Sequence, residues 1–155
     1  MTGEADYPGP RPSPGDGGPV VLVSDRQSLP VDERALAALG RDVLLAEGRR
    51  AGELSVSFVT EEEMAELHAR YLGEDGATDV LAFEQDGEDG MIGDVVLCPA
   101  YAAREAAAHG GELDAELRLL LVHGVLHLLG YDHEADHDRA RMWARQESYS
   151  GVRVP

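Results

Sequence analysis

The segment from Glu112 to Leu129 constrains the fold most, because it is apolar on nearly every side. A helix of this kind has no polar face to offer to water, so it must be buried. From residue 119 onwards it carries eight large apolar side chains: Leu119, Leu120, Leu121, Val122, Val125, Leu126, Leu128 and Leu129. The chain therefore needs other elements to cover this helix, as in a layered domain.

The rest of the sequence supplies such elements. The stretch from Leu54 to Val59 alternates between apolar and polar residues, which predicts a strand, and Thr60 with Glu63 forms a capping-box pattern that predicts the start of a helix. The predicted strands cover residues 20–23, 54–59, 80–83 and 92–98. The predicted helices cover residues 32–47, 60–72, a segment from Pro99, 112–129 and 136–149. We predict an α+β fold in which a small mixed β-sheet is covered by helices.

The N-terminal segment differs in composition from the rest of the chain. Residues 1–19 hold five of the eight prolines and several glycines. Such a segment buries too little apolar surface to offset the entropy lost on ordering. We predict a disordered tail over residues 1–19 and a single domain over residues 20–155.

Charge and cysteine content narrow the functional classes. The chain has 13 basic and 30 acidic residues, a net charge of -17, so we expect no general attraction for nucleic acid and no DNA partner. The single cysteine, Cys98, excludes an internal disulfide framework and a cysteine-rich zinc site. Neither a membrane-spanning run nor a secretory leader pattern is visible, so we expect a cytoplasmic protein with no membrane partner.

Three histidines near the end of the apolar segment have the spacing of metal ligands. His123 and His127 are four residues apart, so a helix presents both imidazoles on one side. Gly130 can adopt the left-handed conformation that ends a helix, which lets the chain return His133 toward the first two. Three imidazoles and one open position describe a catalytic zinc site, so we predict one zinc ion per chain. The other histidines lack this spacing, although His137 is an alternative to His133.

The sequence of this segment, His-Gly-Val-Leu-His-Leu-Leu-Gly-Tyr-Asp-His from His123 to His133, resembles the signature of the bacterial YbeY family of metal-dependent endoribonucleases. Thr78–Phe83 and Ile92–Leu97 are similar to two strand motifs of that family, and the likeness spans about residues 55–147. The resemblance implies a zincin-like fold and a cytoplasmic enzyme that cuts single-stranded RNA. It also implies a role in 16S ribosomal RNA 3′-end maturation and ribosome quality control, with the small ribosomal subunit as partner.

The chain departs from the family pattern at a few positions. Leu72 follows Tyr71 where the family often has an arginine, and the nearby Arg70 lies on a different helical face. Ala77 and Ala82 replace a proline and a serine of the family motif. The role usually given to the missing arginine is therefore open in this chain.

The sequence names no definite general base. Asp132 is a candidate for orienting a ligand, and Asp79 and Asp94 are candidates for lining the cleft, although each is also compatible with a turn or capping role. The nucleophile, water or the RNA 2′-hydroxyl, stays open. Four arginines are further candidates for phosphate contacts: Arg104, Arg118, Arg139 and Arg141.

Two other functions fit parts of the pattern. A zinc metallopeptidase has the same histidine spacing, but it carries a glutamate after the first histidine, where this chain has Gly124. A non-enzymatic zinc module that docks on the ribosome requires a closed fourth ligand position, which Asp132 or His137 would have to fill.

Overall fold

The computed structural model describes residues 18–85, 90–131 and 136–152. Four strands and five helices occupy these ranges, and their bounds agree with the predicted elements to within a few residues. The strands are β1 (Val20–Asp25), β2 (Glu53–Phe58), β3 (Val80–Glu84) and β4 (Met91–Leu97). The helices are α1 (Glu33–Ala46), α2 (Glu61–Leu72), α3 (Pro99–Ala108), α4 (Leu113–Leu128) and α5 (Asp136–Ser150).

The strands form one mixed sheet in the order β1-β2-β4-β3. β1, β2 and β4 are parallel, whereas β3 lies at the edge and runs antiparallel to β4. The predicted α+β class, with a small mixed sheet covered by helices, is confirmed. No helix among the described residues is long and apolar enough to span a bilayer.

The N-terminal boundary of the packed region lies slightly earlier than residue 20. Pro19 is buried, and its carbonyl oxygen accepts a hydrogen bond from Arg41 Nε at 3.1 Å. Pro19 therefore packs with the domain, although the sequence placed it in the tail. Residues 1–17, the rest of the predicted tail, lie outside the described residues.

Local sequence explains where the helices begin and end. The Thr60 hydroxyl accepts a hydrogen bond from the Glu63 amide at 3.1 Å, as the capping pattern predicts. The carboxylate of Glu63 instead forms an ion pair with Arg26, with 2.6 Å between Glu63 Oε2 and Arg26 Nη2. At the end of α1, Gly48 has φ +89°, a left-handed conformation that glycine adopts without strain.

Helix α4 lies across one face of the sheet and contacts both β3 and β4. Gly124 of α4 faces Val95, and Leu128 faces Gly93, so α4 runs antiparallel to β4. Helices α1, α3 and α5 also pack on α4, which explains why its sequence is apolar around most of its circumference. The opposite face of the sheet carries a second, smaller core under α2: Val59, Met64, Leu81, Val96 and Cys98.

Candidate metal centre

Two of the predicted metal ligands lie on α4, one turn apart. His123 is half-buried and His127 is exposed, so the helix is not buried on every side as its composition indicated. Both side chains belong to one continuous helix that ends at Leu128. A helix of this geometry presents residues four apart on neighbouring parts of the same face. The two imidazoles can therefore approach one ion from the same side.

The imidazole of His123 has a buried partner on α5. Its Nδ1 lies 2.8 Å from Oε1 of Gln146, whose residue is only 5 % exposed. An amide oxygen can only accept a hydrogen bond, so Nδ1 carries the proton and donates it. The neutral ring then has its lone pair on Nε2, the atom that a metal ligand must offer. Sequence reasoning missed Gln146, because it lies in a polar helix with no motif around it.

The end of α4 turns the chain as the sequence predicted. Gly130 has φ +99°, and its amide donates to the His127 carbonyl oxygen at 3.1 Å. The Tyr131 amide donates to the Leu126 carbonyl oxygen, also at 3.1 Å. This pair of hydrogen bonds is the Schellman motif, which ends a helix with a left-handed residue. The motif fixes the direction in which the chain leaves α4.

Asp132 and His133 follow directly after Tyr131 and lie outside the described residues. Within the described ranges, no three histidine, cysteine, aspartate or glutamate side chains gather closely enough to hold a metal ion. The ligand set of His123, His127 and His133 therefore stays a prediction. Its described members fit zinc, because imidazole nitrogen is a ligand that zinc prefers and His123 is held in the tautomer that binding needs.

A carboxylate next to the end of α4 ties three helices together. Glu47, the residue after α1, accepts hydrogen bonds from the hydroxyls of Tyr131 and Tyr149 and lies 3.4 Å from Arg145 Nη1. Partial burial raises the pKa of Glu47. The tyrosine hydrogen bonds and the neighbouring arginine charges outweigh this effect, so its pKa lies below the ordinary value. Glu47 therefore stays ionised and holds α5 beside the end of α4.

The candidate carboxylate Asp79 lies at the start of β3, beside α4. It directly precedes β3, and its backbone oxygen accepts a hydrogen bond from the Cys98 amide at 3.0 Å. Burial raises the pKa of Glu116 in the first turns of α4, and the nearby charge of Asp79 raises it further. The next residue, Val80, has its Cγ2 atom 3.6 Å from where a Cβ of Gly124 would lie, so Asp79 also lies close to the part of α4 that contains Gly124.

The candidate carboxylate Asp94 lies on the other face of the sheet. Its neighbour Val95 points toward α4, and side chains alternate along a strand, so Asp94 points away from α4. It lines a groove of about 470 Å³ together with Phe83 and Gln85, and it accepts a hydrogen bond from Gln85 Nε2 at 2.8 Å. Asp94 is therefore separated from the two histidines by the sheet.

Several of the described arginines pair with acidic side chains. Arg104 pairs with Glu61, and Arg118 pairs with Asp114 one turn earlier on α4. Arg141 lies over the ring of Tyr131 at 5.4 Å. The two ion pairs neutralise part of the positive charge that an RNA phosphate would need.

The position after the first histidine has no room for a side chain. A Cβ atom added to Gly124 would lie 2.9 Å from Val95 Cγ1 and 3.6 Å from Val80 Cγ2. The sequence has no glutamate at this position, and the packing of α4 on the sheet leaves no space for one.

Comparisons with known proteins agree with this architecture. A family model described as Endoribonuclease YbeY matches residues 23–151. The chain is 43 % identical over 143 residues to the Endoribonuclease YbeY of Thermobifida fusca, covering 84 % of this chain and 92 % of that protein. It is 46 % identical over 131 residues to the Endoribonuclease YbeY of a Parafrankia species, covering 76 % and 82 %.

A solved structure is also similar. The solution structure of TM1509 from Thermotoga maritima superposes with a TM-score of 0.63 at 27 % sequence identity. The superposition covers 84 % of this chain and 86 % of that one. The arrangement of sheet and helices is therefore shared over most of both chains.

Proposed function

The chain belongs to the YbeY family of endoribonucleases, and we propose that it is a zinc-dependent enzyme that cleaves single-stranded RNA. We propose further that it acts in 16S ribosomal RNA 3′-end maturation and in ribosome quality control, with the small ribosomal subunit as its partner and the cytoplasm as its compartment. The observation that supports the metal site best is the histidine pair on α4, together with the hydrogen bond that His123 Nδ1 donates to the side-chain oxygen of Gln146.

In this proposal, His123, His127 and His133 would hold the zinc ion. When bound, zinc supplies Lewis-acid chemistry at a phosphoryl oxygen and lowers the pKa of a water molecule. The protein's own contribution is to hold the imidazoles in one tautomer and on one side of a rigid helix. Helix α4 does so because its remaining faces are packed against the sheet and three other helices.

The charge of the protein sets the conditions for RNA binding. With a net charge of -17, the surface as a whole repels phosphates. Arg104 and Arg118 are engaged by carboxylates, so they compensate little of this repulsion. Binding then depends on the metal site and a few local contacts, and it should weaken as salt rises. We expect slow cleavage of free RNA and faster cleavage when a ribosomal particle presents the strand.

The two alternatives receive less support. A metallopeptidase needs a general base next to its first histidine, and Gly124 leaves no space for one. A ribosome-docking module without activity has no support from the relatives, which are named as endoribonucleases.

The test compares the wild type with His127→Ala and with His109→Ala. His109 is a matched control because it ends α3, far from the proposed ligands in sequence, and contacts Glu116 at 3.4 Å. Each protein is incubated with labelled single-stranded RNA, with duplex RNA and with casein. Every reaction is run with and without a chelator, and with zinc restored.

We expect chelator-sensitive cleavage of single-stranded RNA by the wild type and by His109→Ala, and none by His127→Ala. Cleavage of casein with intact RNA would favour the peptidase. If neither substrate is cut, even when the RNA is presented on ribosomal particles, the docking module becomes the better explanation.

A further inference from the structure

We propose that Gln146 is a positioning residue that holds His123 in its metal-binding tautomer. The inference rests on the proposed metal site and adds a residue outside the histidine motif. The Gln146 oxygen lies 2.8 Å from Nδ1 of His123, across 23 residues of sequence. A hydrogen bond to the ring nitrogen that does not bind metal fixes both the proton and the plane of the ring.

The burial of Gln146 supports this role. In the described part of the chain, the buried polar side chains are Gln146 and Ser150, each 5 % exposed. Burying an amide away from water is unfavourable unless its polar atoms find partners. An apolar residue would fill the same space without that cost. The chain nevertheless has an amide here, with its oxygen directed at the imidazole of a proposed ligand.

Helix α5 is anchored on both sides of Gln146. Met142, one turn earlier, is 0 % exposed in the main core. Ser150, one turn later, is buried, and its carbonyl oxygen accepts a hydrogen bond from Arg118 Nε at 3.2 Å. These three α5 residues lie four apart, so they share the face that packs on α4. The backbone at Gln146 is therefore held in place on both sides, so its side-chain amide can define the orientation of the His123 ring.

Two variants of similar size separate positioning from simple packing. Gln146→Glu keeps an oxygen acceptor but adds a buried charge, whereas Gln146→Met keeps the volume and loses the acceptor. If Gln146 only fills space, methionine should be tolerated better than glutamate in every assay. If it positions His123, stability and metal affinity should rank the two variants in opposite orders.

The experiment measures zinc affinity by chelator competition at about pH 8, where free imidazole is neutral. It also measures the ¹⁵N chemical shifts of the His123 ring without metal, which report the tautomer. Tyr149→Phe is the control, because it removes a hydrogen bond from the same helix to Glu47 rather than to His123. Urea unfolding of each metal-free variant verifies that it folds.

We expect Gln146→Met to lower zinc affinity about 10-fold or more and to lose the Nδ1–H tautomer. Gln146→Glu and Tyr149→Phe should stay within a few-fold of the wild-type affinity. Wild-type affinity in Gln146→Met, or an equal loss in Tyr149→Phe, would overturn the positioning role. A wild type that binds no zinc would overturn the metal site and this role with it. Failure of the metal site can be distinguished from failure of the positioning role alone, because the tautomer of the His123 ring is measured without metal.

Discussion

Replacing Gly124 by alanine measures how closely α4 packs on the sheet. The added Cβ would lie 2.9 Å from Cγ1 and 3.2 Å from Cγ2 of Val95, which is 0 % exposed. Overpacking a core costs about 1–3 kcal/mol. Alanine in place of glycine inside a helix gains about 0.5–1 kcal/mol. We therefore expect Gly124→Ala to lower the free energy of unfolding by about 1 kcal/mol.

Gly40 provides the matched control, because it is also a buried helical glycine. A Cβ added there would lie 3.4 Å from its nearest neighbour, Leu54 Cδ2, which is ordinary contact. Gly40→Ala should therefore stabilise the protein by about 0.5–1 kcal/mol. Urea unfolding followed by circular dichroism gives both values. In a Val95→Ala background the methyl group at position 124 has room, so the sign of its effect should reverse. Equal stabilisation by both alanines in the wild-type background would refute the close-packing argument.

Three further predictions concern the metal, the Glu47 contacts and the tail. Zinc should raise the melting temperature of the wild type but not that of His127→Ala, because an ion that binds only the folded state stabilises it. The pKa of Glu47 is lowered, so its stabilising contribution is present above the unfolded-state pKa and lost as pH falls through the folded one. Melting temperatures of the wild type and Glu47→Gln between about pH 3 and pH 6 should therefore converge toward the acid end. Deleting residues 1–17, which leaves the buried Pro19 in place, should change the melting temperature little, and a large fall would show that the tail docks.

Local patterns explain why the elements of the fold could be predicted. Leu54, Val56 and Phe58 alternate with polar residues, and all three are at most 1 % exposed in β2. Gly130 adopts the left-handed conformation that the helix end requires. Each of these features depends on neighbours within a few residues, so the sequence is sufficient to indicate it.

The polar contacts around the candidate site could not be predicted in the same way. Gln146 reaches His123 across 23 residues, and Glu47 reaches Tyr131 and Tyr149 across 84 and 102 residues. No periodic pattern connects such partners, because the pairing depends on how α1 and α5 pack against α4. Asp94 illustrates the same difficulty within a strand, since only the packed sheet shows which of its two faces α4 covers.

The packing next to the histidines also bears on the choice of reaction. Gly124 follows His123 directly, and its backbone lies so close to Val95 that any larger residue would push α4 away from β4. Gln146 holds the imidazole of His123 from the opposite element, α5. A glutamate at position 124 would therefore have two effects. It would disturb the packing of α4 on β4, and the resulting shift of α4 would move His123 away from Gln146. A helix packed this tightly is compatible with metal chemistry whose general base lies on another element, with water or the RNA 2′-hydroxyl as the nucleophile. It is incompatible with the helix-borne glutamate of the metallopeptidases, so the close packing of Gly124 on Val95 excludes peptide hydrolysis by that mechanism.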